Sequence, residues 1–439
     1  MSSRLGRFRT SLRSMVLLSF LLQILAMTAL HTYRFRAGEN HFGFGWEMGK
    51  IGEAIATGEG FSNPYGGPTG PSAWEPPLYP FLIGGVFKVF GVYSAASAWV
   101  LLALNSLFAA LTCVPIFFIA QRTMNERIAV WAAWTWVLLP YEWYWSIHWI
   151  WDTTVSPLCL CLIFLVALRL GESSAARRLS PQPAKTGLAG GPLWAVFGLL
   201  WGILALLNTS CLSFFPFCML WVWHCCRSRG RSSTLGLVLA VVVMAACLTP
   251  WLIRNYVTYG KFVFVRDDFG AQLRLGNGPF ADGMLMAYLQ PNLNVVELNR
   301  FRAMGELRYA ETRRCEALAF IRQHPGRFLA ISGKRFVYYW AGVPHPGDGL
   351  VLGILRSSLF LASSILALWG LLRAIRTRQS GRWLFALLVL SYPTVYYFVF
   401  PHARYRHPIE PELLILAVFL VLEARPRTAI RGAEEPKNL

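Results

Sequence analysis

The sequence predicts an all-α protein that crosses a membrane about ten times. Of its 439 residues, 55% are hydrophobic and 14% are charged, whereas soluble domains carry charge on about a quarter of their residues. Apolar runs recur that are long enough to cross about 30 Å of hydrocarbon, which takes roughly 20 helical residues. Such unbroken runs are typical of membrane helices rather than of the alternating strands of a membrane barrel.

The first predicted helix is an apolar run from about Met15 to Leu30, preceded by a basic patch. His31 and Tyr33 follow this run, in place of a small-residue cleavage site. We therefore expect a retained transmembrane helix rather than a cleaved signal peptide, with its N-terminus in the cytoplasm.

Two long segments, 33–93 and 254–348, are predicted to lie outside the membrane. The remaining predicted spans lie near residues 94–120, 128–148, 152–170, 192–209, 211–226, 234–253, 350–373, 383–400 and 409–423. We expect three parts: a transmembrane module over 1–253 that includes loop 33–93, an outer interfacial helical segment over 254–348, and C-terminal transmembrane helices with a short cytoplasmic tail over 349–439.

The distribution of Lys and Arg predicts the orientation. The short loops assigned to the cytoplasm carry basic residues, namely Arg122, Arg127, Arg169, Arg177, Arg178, Lys185, Arg227, Arg229, Arg231, Arg373, Arg376, Arg378 and Arg382. The short outer loops at 141–151 and 209–211 carry none. This asymmetry predicts a multi-pass protein of a bacterial inner membrane with both ends inside. It also explains the net charge of +19 through lipid head groups rather than nucleic acid.

Three acidic residues of the outer loops are candidates for chemistry. Glu47 begins a short helical pattern that ends at Gly58, and a carboxylate at a partly dry interface suits a general base. Glu75 lies in a stiff Pro-Pro turn that launches a short amphipathic helix over residues 78–90. Asp152 lies at the outer end of a span, where both a functional role and a helix N-cap are open. The alternative for Glu47 is a loop acid at the water boundary, and the alternative for Glu75 is a structural or acceptor-facing role.

Three arginines are predicted at the same outer face. Arg254 lies at the outer end of the span 234–253. Arg404 and Arg406 lie in the outer turn Pro401–Pro408, whereas the other short outer loops carry no Lys or Arg. Guanidinium groups bind phosphate through paired hydrogen bonds, which suits a lipid phosphate. Contact with ordinary phospholipid head groups is the alternative.

A cluster of seven tryptophans between residues 131 and 151 has two interpretations. It is typical of an aromatic belt at the membrane interface, or some rings line a groove for a sugar or a prenyl chain. The sequence holds no metal-ligand spacing and no phosphate-binding glycine loop, which leaves the use of a divalent metal open and predicts no other cofactor.

An ordered set of motifs resembles the GT-C superfamily of membrane glycosyltransferases. The set runs through GWEMGKIGEAIATGEGF, EPPLYPFLIGGVFKVFG, the WDTT turn, TPWLIRNYVTYGKFV with RLGNGP, HPGRFL and RYRHPIEPELLIL. Within the superfamily it is most similar to the family 39-like branch, with protein O-mannosyltransferases and the aminoarabinose transferases of lipid A. The resemblance implies a GT-C-like fold with interfacial helices in the first outer loop.

The resemblance also implies residue roles. It puts a catalytic acid at Glu47, a second acid at Asp152, and substrate contacts at Glu75 and Tyr79 of the Pro-Pro loop. Related transferases often have Lys before the Pro-Pro pair as a phosphate ligand. Glu75 stands there in this chain, which shifts donor-phosphate binding to Arg254, Arg404 and Arg406.

The function implied is inverting transfer of a sugar from a polyprenyl-phosphate donor. The acceptor is an envelope glycan, lipid or protein at the periplasmic or exterior face. A transporter or flippase for lipid-linked glycans is the main alternative, but it predicts internal repeats. An O-antigen ligase or polymerase is another, with its key residues in one later loop.

Overall fold

A computed structural model describes residues 11–35, 42–172, 190–230, 232–343 and 350–423. These ranges form an all-α fold, as predicted, and within them the only β-type pairing is an isolated bridge between Ser62 and Pro71. The basic residues Arg177, Arg178, Lys185 and Arg231 lie outside the described residues, as does the predicted basic patch up to residue 10.

Residues 12–259 form ten α-helices in the described ranges. They are α1 (Leu12–Ala29), α2 (Glu47–Thr57), α3 (Leu78–Phe90), α4 (Ala95–Thr123), α5 (Glu126–Leu138), α6 (Pro140–His148), α7 (Val155–Glu172), α8 (Gly191–Leu207), α9 (Phe215–Arg227) and α10 (Thr234–Tyr259).

Residues 269–423 add eight more helices in the described ranges. They are α11 (Phe269–Gly276), α12 (Val295–Met304), α13 (Glu306–Gln323), α14 (Pro325–Ala341), α15 (Leu350–Arg376), α16 (Arg382–Ser391), α17 (Thr394–Phe398) and α18 (Glu410–Glu423).

Four helices of the described chain are long and apolar enough to cross a membrane by length and composition. They are α1, α4, α10 and the stretch Gly353–Arg376 of α15. Further apolar helices are shorter, including α3, α7 and α8. Their exposed faces are rich in large apolar side chains, such as Leu17, Leu21 and Val242, which is the surface expected of a polytopic membrane protein.

Two predicted spans are broken in the structure, both at prolines. The run 128–148 divides into α5 and α6, because Leu139 is extended and Pro140 starts a new helix. The run 383–400 divides into α16 and α17 at Pro393. Proline lacks an N–H and disfavours a helical residue before it, so a helix ends more readily there than apolar patterning suggests.

The two segments predicted to lie outside the membrane (33–93 and 254–348, the outer segments) contain helices in their described parts. In the first, α2 and α3 cross at Gly52 and Gly84, where a Cβ on Gly52 would lie 2.5 Å from the side chain of Ile83. In the second, α12 ends before Gly305, and α13 ends at Gln323 before α14 begins at Pro325. Pro325 begins α14, since the first helical turn tolerates proline.

The outer segments are joined to each other by buried polar contacts. The Glu306 carboxylate accepts hydrogen bonds from the Ser72 hydroxyl (2.7 Å) and the Ala73 amide (2.5 Å). The Tyr259 hydroxyl donates to the same carboxylate at 2.9 Å. The turn that precedes the Pro-Pro pair is thereby held against α13 and the end of α10.

Candidate active site

A cavity of about 370 Å³ lies where the two outer segments meet the ends of the apolar helices. Its volume is in the range of small-molecule sites, about 300–1,000 Å³. Glu47, Glu75, Asp152 and Arg404 all line it, so residues far apart in the sequence meet here.

Glu47 reaches the cavity through an unusual backbone turn. Gly45 has φ of 84°, and a Cβ there would lie 2.4 Å from the carbonyl oxygen of Ile150. Trp46 has φ of 38°, a region that non-glycine residues adopt at a cost of order 1–3 kcal/mol. Glu47 is then the first residue of α2, and its Oε1 accepts a hydrogen bond of 2.9 Å from the Asn292 amide.

The environment of Glu47 favours the protonated acid more than water does. Burial raises the pKa of its carboxyl from 4.5 to about 7, against opposing effects of a backbone hydrogen bond and the positive charge of Arg404. A carboxyl with a pKa near the operating pH is well matched to general base catalysis, because it is partly ionised and can hold a proton.

Asp152 lies in the turn between α6 and α7. Its Oδ2 accepts hydrogen bonds from the Ser156 hydroxyl and the Asn208 amide, each at 2.9 Å. Burial raises the pKa of its carboxyl, and these bonds together with Arg404 oppose the rise. The Asp152 carboxylate is therefore held by Ser156 of α7 and by Asn208 at the end of α8.

Glu75 faces an arginine that the sequence interpretation missed. The Arg266 guanidinium pairs with Asp268 and lies 3.5 Å from Oε2 of Glu75. Asp268 also accepts a hydrogen bond of 2.8 Å from the Gln272 amide. Burial raises the pKa of Glu75 to about 8, although Arg266 lowers it. The positive charge of Arg266 is thus matched by two carboxyl groups.

Arg404, unlike Arg266, contacts aromatic rings rather than carboxylates. Its guanidinium lies 3.9 Å from the ring centroid of Trp151 and 5.2 Å from that of Tyr405. Among the described residues it forms no salt bridge, and its Nε has no hydrogen-bond partner. Arg404 therefore presents a cation to the cavity that is not neutralised by a contacting carboxylate.

Arg254 and Arg406, the other two predicted phosphate ligands, do not line this cavity. The guanidinium of Arg254 donates to the carbonyl oxygens of Ser72 (2.6 Å) and Phe61 (2.7 Å). That of Arg406 is buried, and it donates to the Glu410 carboxylate and to the hydroxyls of Ser363 and Ser364.

Tyr79 also lies away from the cavity. Its side chain is buried, and its hydroxyl donates at 2.8 Å to Oδ1 of Asn105, whose amide donates to the Trp149 carbonyl. Trp149 lines the cavity. Tyr79 thus supports a wall of the cavity from behind, rather than contacting what the cavity holds.

The tryptophan cluster occupies two different environments in the fold. Trp149 and Trp151 line the cavity, whereas Trp131 is 54% exposed on the apolar surface. The run 131–151 therefore supplies tryptophans both to the cavity wall and to the exposed apolar surface.

Sequence reasoning missed Arg266, Asp268, Gln272, Gln290 and Asn292. The first two belong to the run Arg-Asp-Asp before α11, which alone looks like a solvated loop. The sequence feature that could have identified this charged run as functional is its position among apolar residues in a long outer segment. Polar amides such as Gln272, Gln290 and Asn292 give no comparable signal, because they are common on any surface.

In the described part of the chain, no group of three or more His, Cys, Asp and Glu side chains is arranged to hold a metal ion. The carboxylates of the cavity are engaged instead with Arg266, Asn208, Asn292 and hydroxyl groups.

No protein-family model and no curated protein matches the sequence. Among solved structures, oligosaccharyltransferase AglB from Archaeoglobus fulgidus, in complex with an inhibitory peptide and a dolichol-phosphate, aligns at a TM-score of 0.51 and 14% identity. The alignment covers 95% of this chain and 50% of that one. The apo form of the same archaeal enzyme gives 0.51 and 14%, over 93% and 50%.

ArnT from Cupriavidus metallidurans, bound to undecaprenyl phosphate, aligns at a TM-score of 0.37 and 13% identity, over 86% of this chain and 73% of that one. The chain spans about half the length of the archaeal structures it matches. At these identities the likeness is one of fold. The all-α polytopic fold expected from the sequence is confirmed, and this chain has the fold of the archaeal oligosaccharyltransferase AglB.

Proposed function

We propose that this protein is an inverting glycosyltransferase that moves a sugar from a polyprenyl-phosphate donor to a hydroxyl acceptor. One observation carries the proposal: Glu47, a carboxyl with a raised pKa, and Arg404, a cation without a contacting carboxylate among the described residues, line the same cavity. A base for the acceptor and a cation for the leaving phosphate are the two groups that this reaction needs.

The proposed reaction is a single displacement. Glu47 takes the proton from the acceptor hydroxyl as the hydroxyl oxygen forms a bond to the anomeric carbon. The bond from that carbon to the phosphate oxygen breaks, and its electron pair stays on the phosphate. Arg404 stabilises the charge that develops there. Attack opposite the leaving phosphate inverts the configuration at the anomeric carbon.

Asp152 and the group of Glu75 and Arg266 fit the sugar in this arrangement. Carboxylates accept hydrogen bonds from sugar hydroxyls, and Asp152 is already fixed by Ser156 and Asn208. Fixed acceptors cost little reorganisation when the transition state forms. We assign these residues to binding and orientation of the sugar rather than to proton transfer.

The apolar edge of the cavity suits the lipid part of the donor. Phe264 and Phe269 line the cavity, and their side chains are 40% and 53% exposed. Exposed aromatic rings beside a polar cavity provide an apolar path for a prenyl chain whose phosphate lies at Arg404. The archaeal structure with the same fold is described in complex with dolichol-phosphate, which agrees with this class of donor.

The charge pattern of the loops supports a site at the outer face of a bacterial inner membrane. The acceptor would then be an envelope glycan, lipid or protein. Membrane lipids are the other partners we expect, and nucleic acid is not among them.

The experiment uses purified protein in nanodiscs with a panel of radiolabelled polyprenyl-phosphate sugars. Release of free polyprenyl phosphate, dependent on an added acceptor extract, is the expected result. The same reactions with EDTA, and with Mg²⁺ or Mn²⁺ restored, test whether a divalent metal takes part. Donor binding without release under every condition would contradict the proposal, and movement of the donor across the bilayer would then favour a flippase.

A further inference from the structure

Glu47 and its hydrogen-bond partner come from different outer segments. Nδ2 of Asn292 donates a hydrogen bond of 2.9 Å to Oε1 of Glu47, between residues 245 positions apart in the sequence. The Glu47 side chain is buried, with 8% of its surface exposed, so it has little contact with water. An amide N–H that donates to a carboxyl group favours the ionised form of that group. Asn292 therefore acts directly on the protonation of the residue that begins α2.

We propose that Asn292 is the positioning residue of the base, and that its amide group holds the Glu47 carboxylate ionised and oriented for proton transfer. The inference rests on the proposed function, in which Glu47 is the base, and it adds the residue that sets the proton affinity of Glu47. Asn292 binds one carboxylate oxygen, and a base needs only the other oxygen to take a proton.

The backbone around Asn292 is fixed on both sides. Pro291, directly before it, is buried and has a restricted φ. The N–H group of Asn294 donates to the Gln290 carbonyl at 3.0 Å, which closes a turn around Asn292. The Asn294 side chain then caps α12, because its Oδ1 accepts a hydrogen bond of 2.9 Å from the Val296 amide. The amide of Asn292 is thus held in place by the turn that carries it.

The helix after this turn is anchored as well. Glu297 of α12 pairs with Arg313 of α13 and accepts a hydrogen bond of 3.0 Å from the Tyr309 hydroxyl. The same helix α13 carries Glu306, which binds the first outer segment at Ala73. Asn292 and Glu47 are therefore held against each other by contacts between the two segments, and the base is complete only when both segments are in place.

A neutral donor suits the task better than a charged one. An arginine in contact with a carboxylate lowers its pKa by about 1–3 units, which would leave a weak base near pH 7. Without any donor, burial would favour the protonated acid, which cannot take a proton. In this structure Arg404, Arg266 and Asp268 affect the pKa of Glu47 through their charges, and the neutral amide of Asn292 supplies the hydrogen bond.

The titratable and charged groups around Glu47 stay in place when residue 292 is changed. In the active-site cavity the acids are Glu75, Asp152 and Asp268, and the basic residues are Arg266, His402 and Arg404. The tyrosines of that cavity are Tyr392, Tyr396 and Tyr405. A small cavity of about 20 Å³, also lined by Glu47, adds Tyr65, Arg274, Tyr309 and Arg313. A changed pH dependence on loss of the Asn292 amide therefore reports the hydrogen bond to Glu47.

Asn292→Leu tests the proposal, because it removes the amide and nearly keeps the size of the side chain. The midpoint of the transfer rate against pH should move up from about 7 by about one unit. The rate should therefore fall about tenfold at pH 6 and recover to nearly the wild-type rate at pH 9. Donor affinity should be unchanged. Asn292→Ala makes the same test in case the leucine variant does not fold.

The matched control is Asn294→Leu, the same change two residues further along. It removes the cap of α12, and apolar residues are poor caps, so the melting temperature should fall while the midpoint of the pH profile stays at the wild-type value. A control whose midpoint moves as far as that of Asn292→Leu would overturn the proposal, because general loosening of the turn would then be sufficient.

A double variant tests whether Asn292 acts through Glu47. In the Glu47→Gln background, Asn292→Leu should leave the residual single-turnover rate unchanged, because two residues that act as one unit are not additive. A further tenfold loss would overturn the proposal. A midpoint that stays in place or moves down in Asn292→Leu would also overturn it, since a downward shift means that the amide presents its oxygen to the protonated acid.

The ionisation of Glu47 can also be followed without donor or turnover. The infrared band of its protonated carboxyl group is the band that Glu47→Gln lacks, and its midpoint should move up by about one unit in Asn292→Leu. An unmoved band in a protein that transfers sugar would overturn the role of Asn292 alone. Absence of phosphate release by wild type at every pH would overturn the proposed function, and the role of Asn292 in transfer with it.

Discussion

The guanidinium of Arg404 lies 3.9 Å from the centroid of the Trp151 ring. This contact joins the last outer turn to the turn that carries Asp152, across more than half of the chain. An arginine on an aromatic face keeps its hydrogen-bond donors free at its edge, and the stacking orients them. The contact therefore holds a cation in place for an anion without neutralising it.

Replacement of Glu47 by Gln tests the proposed base directly. The amide keeps the size of the side chain and can still accept from Asn292, but it cannot take a proton. We expect turnover to fall by about 10²–10⁴-fold, with donor affinity nearly unchanged. Single-turnover release of polyprenyl phosphate and donor binding measure the two effects. Transfer by Glu47→Gln at the wild-type rate would remove Glu47 from the mechanism.

The pH dependence follows from the raised pKa of Glu47, about 7. The base acts when ionised, so the transfer rate should rise with pH and level off above about 7. The folded state favours the protonated acid, so the contribution of this group to stability is full below 4.5 and is lost as pH rises through 7. Melting temperatures of wild type and Glu47→Gln should therefore diverge at pH 8, where the variant is the more stable. A rate that is flat from pH 5 to 8 would contradict this assignment.

Replacement of Arg404 by Gln should weaken donor binding. A hydrogen bond to a charged group contributes about 1.5–3 kcal/mol, so affinity for polyprenyl phosphate should fall by about 10- to 100-fold. Arg404→Lys keeps the charge and loses the planar stacking on Trp151, and an intermediate loss is expected.

The matched comparison is Arg406→Met, at a buried arginine two residues away. It leaves Glu410 without its partner, and breaking a buried ion pair costs about 3–5 kcal/mol. A lower melting temperature is expected, with normal donor affinity in the folded protein. The reverse pattern, with Arg404 affecting stability and Arg406 affecting affinity, would show that the phosphate lies elsewhere.

Arg254 is expected to stabilise the outer loop. Arg254→Gln loses charged hydrogen bonds to the carbonyls of Phe61 and Ser72, which should lower the free energy of unfolding by about 2–3 kcal/mol. Thermal unfolding in detergent, and protease cleavage near residues 61–72, measure this. An unchanged melting temperature together with lost donor binding would instead support the phosphate role predicted from the sequence.

Much of the fold follows from local patterning. Apolar runs and turn residues predicted the helices of the membrane part, and the short helix that starts at Glu47 ends at Gly58 as expected. The errors lie at Pro140 and Pro393, where a local breaker interrupts an apolar pattern that otherwise continues.

The sequence by itself determined the membrane-helical class, the outer acids Glu47 and Asp152 as candidates, and the resemblance whose fold is confirmed. These depend on composition, on periodicity and on neighbours along the chain. The tertiary structure alone decided which arginine faces the cavity, because Arg254, Arg404 and Arg406 have similar local surroundings in the sequence. They differ in what distant segments bring to them: carbonyl groups, a tryptophan face, or a carboxylate with two serine hydroxyls. A guanidinium can bind an anionic ligand only where no carboxylate of the folded protein already pairs with it. Which arginines are paired depends on contacts between distant segments, and these contacts form only in the tertiary structure.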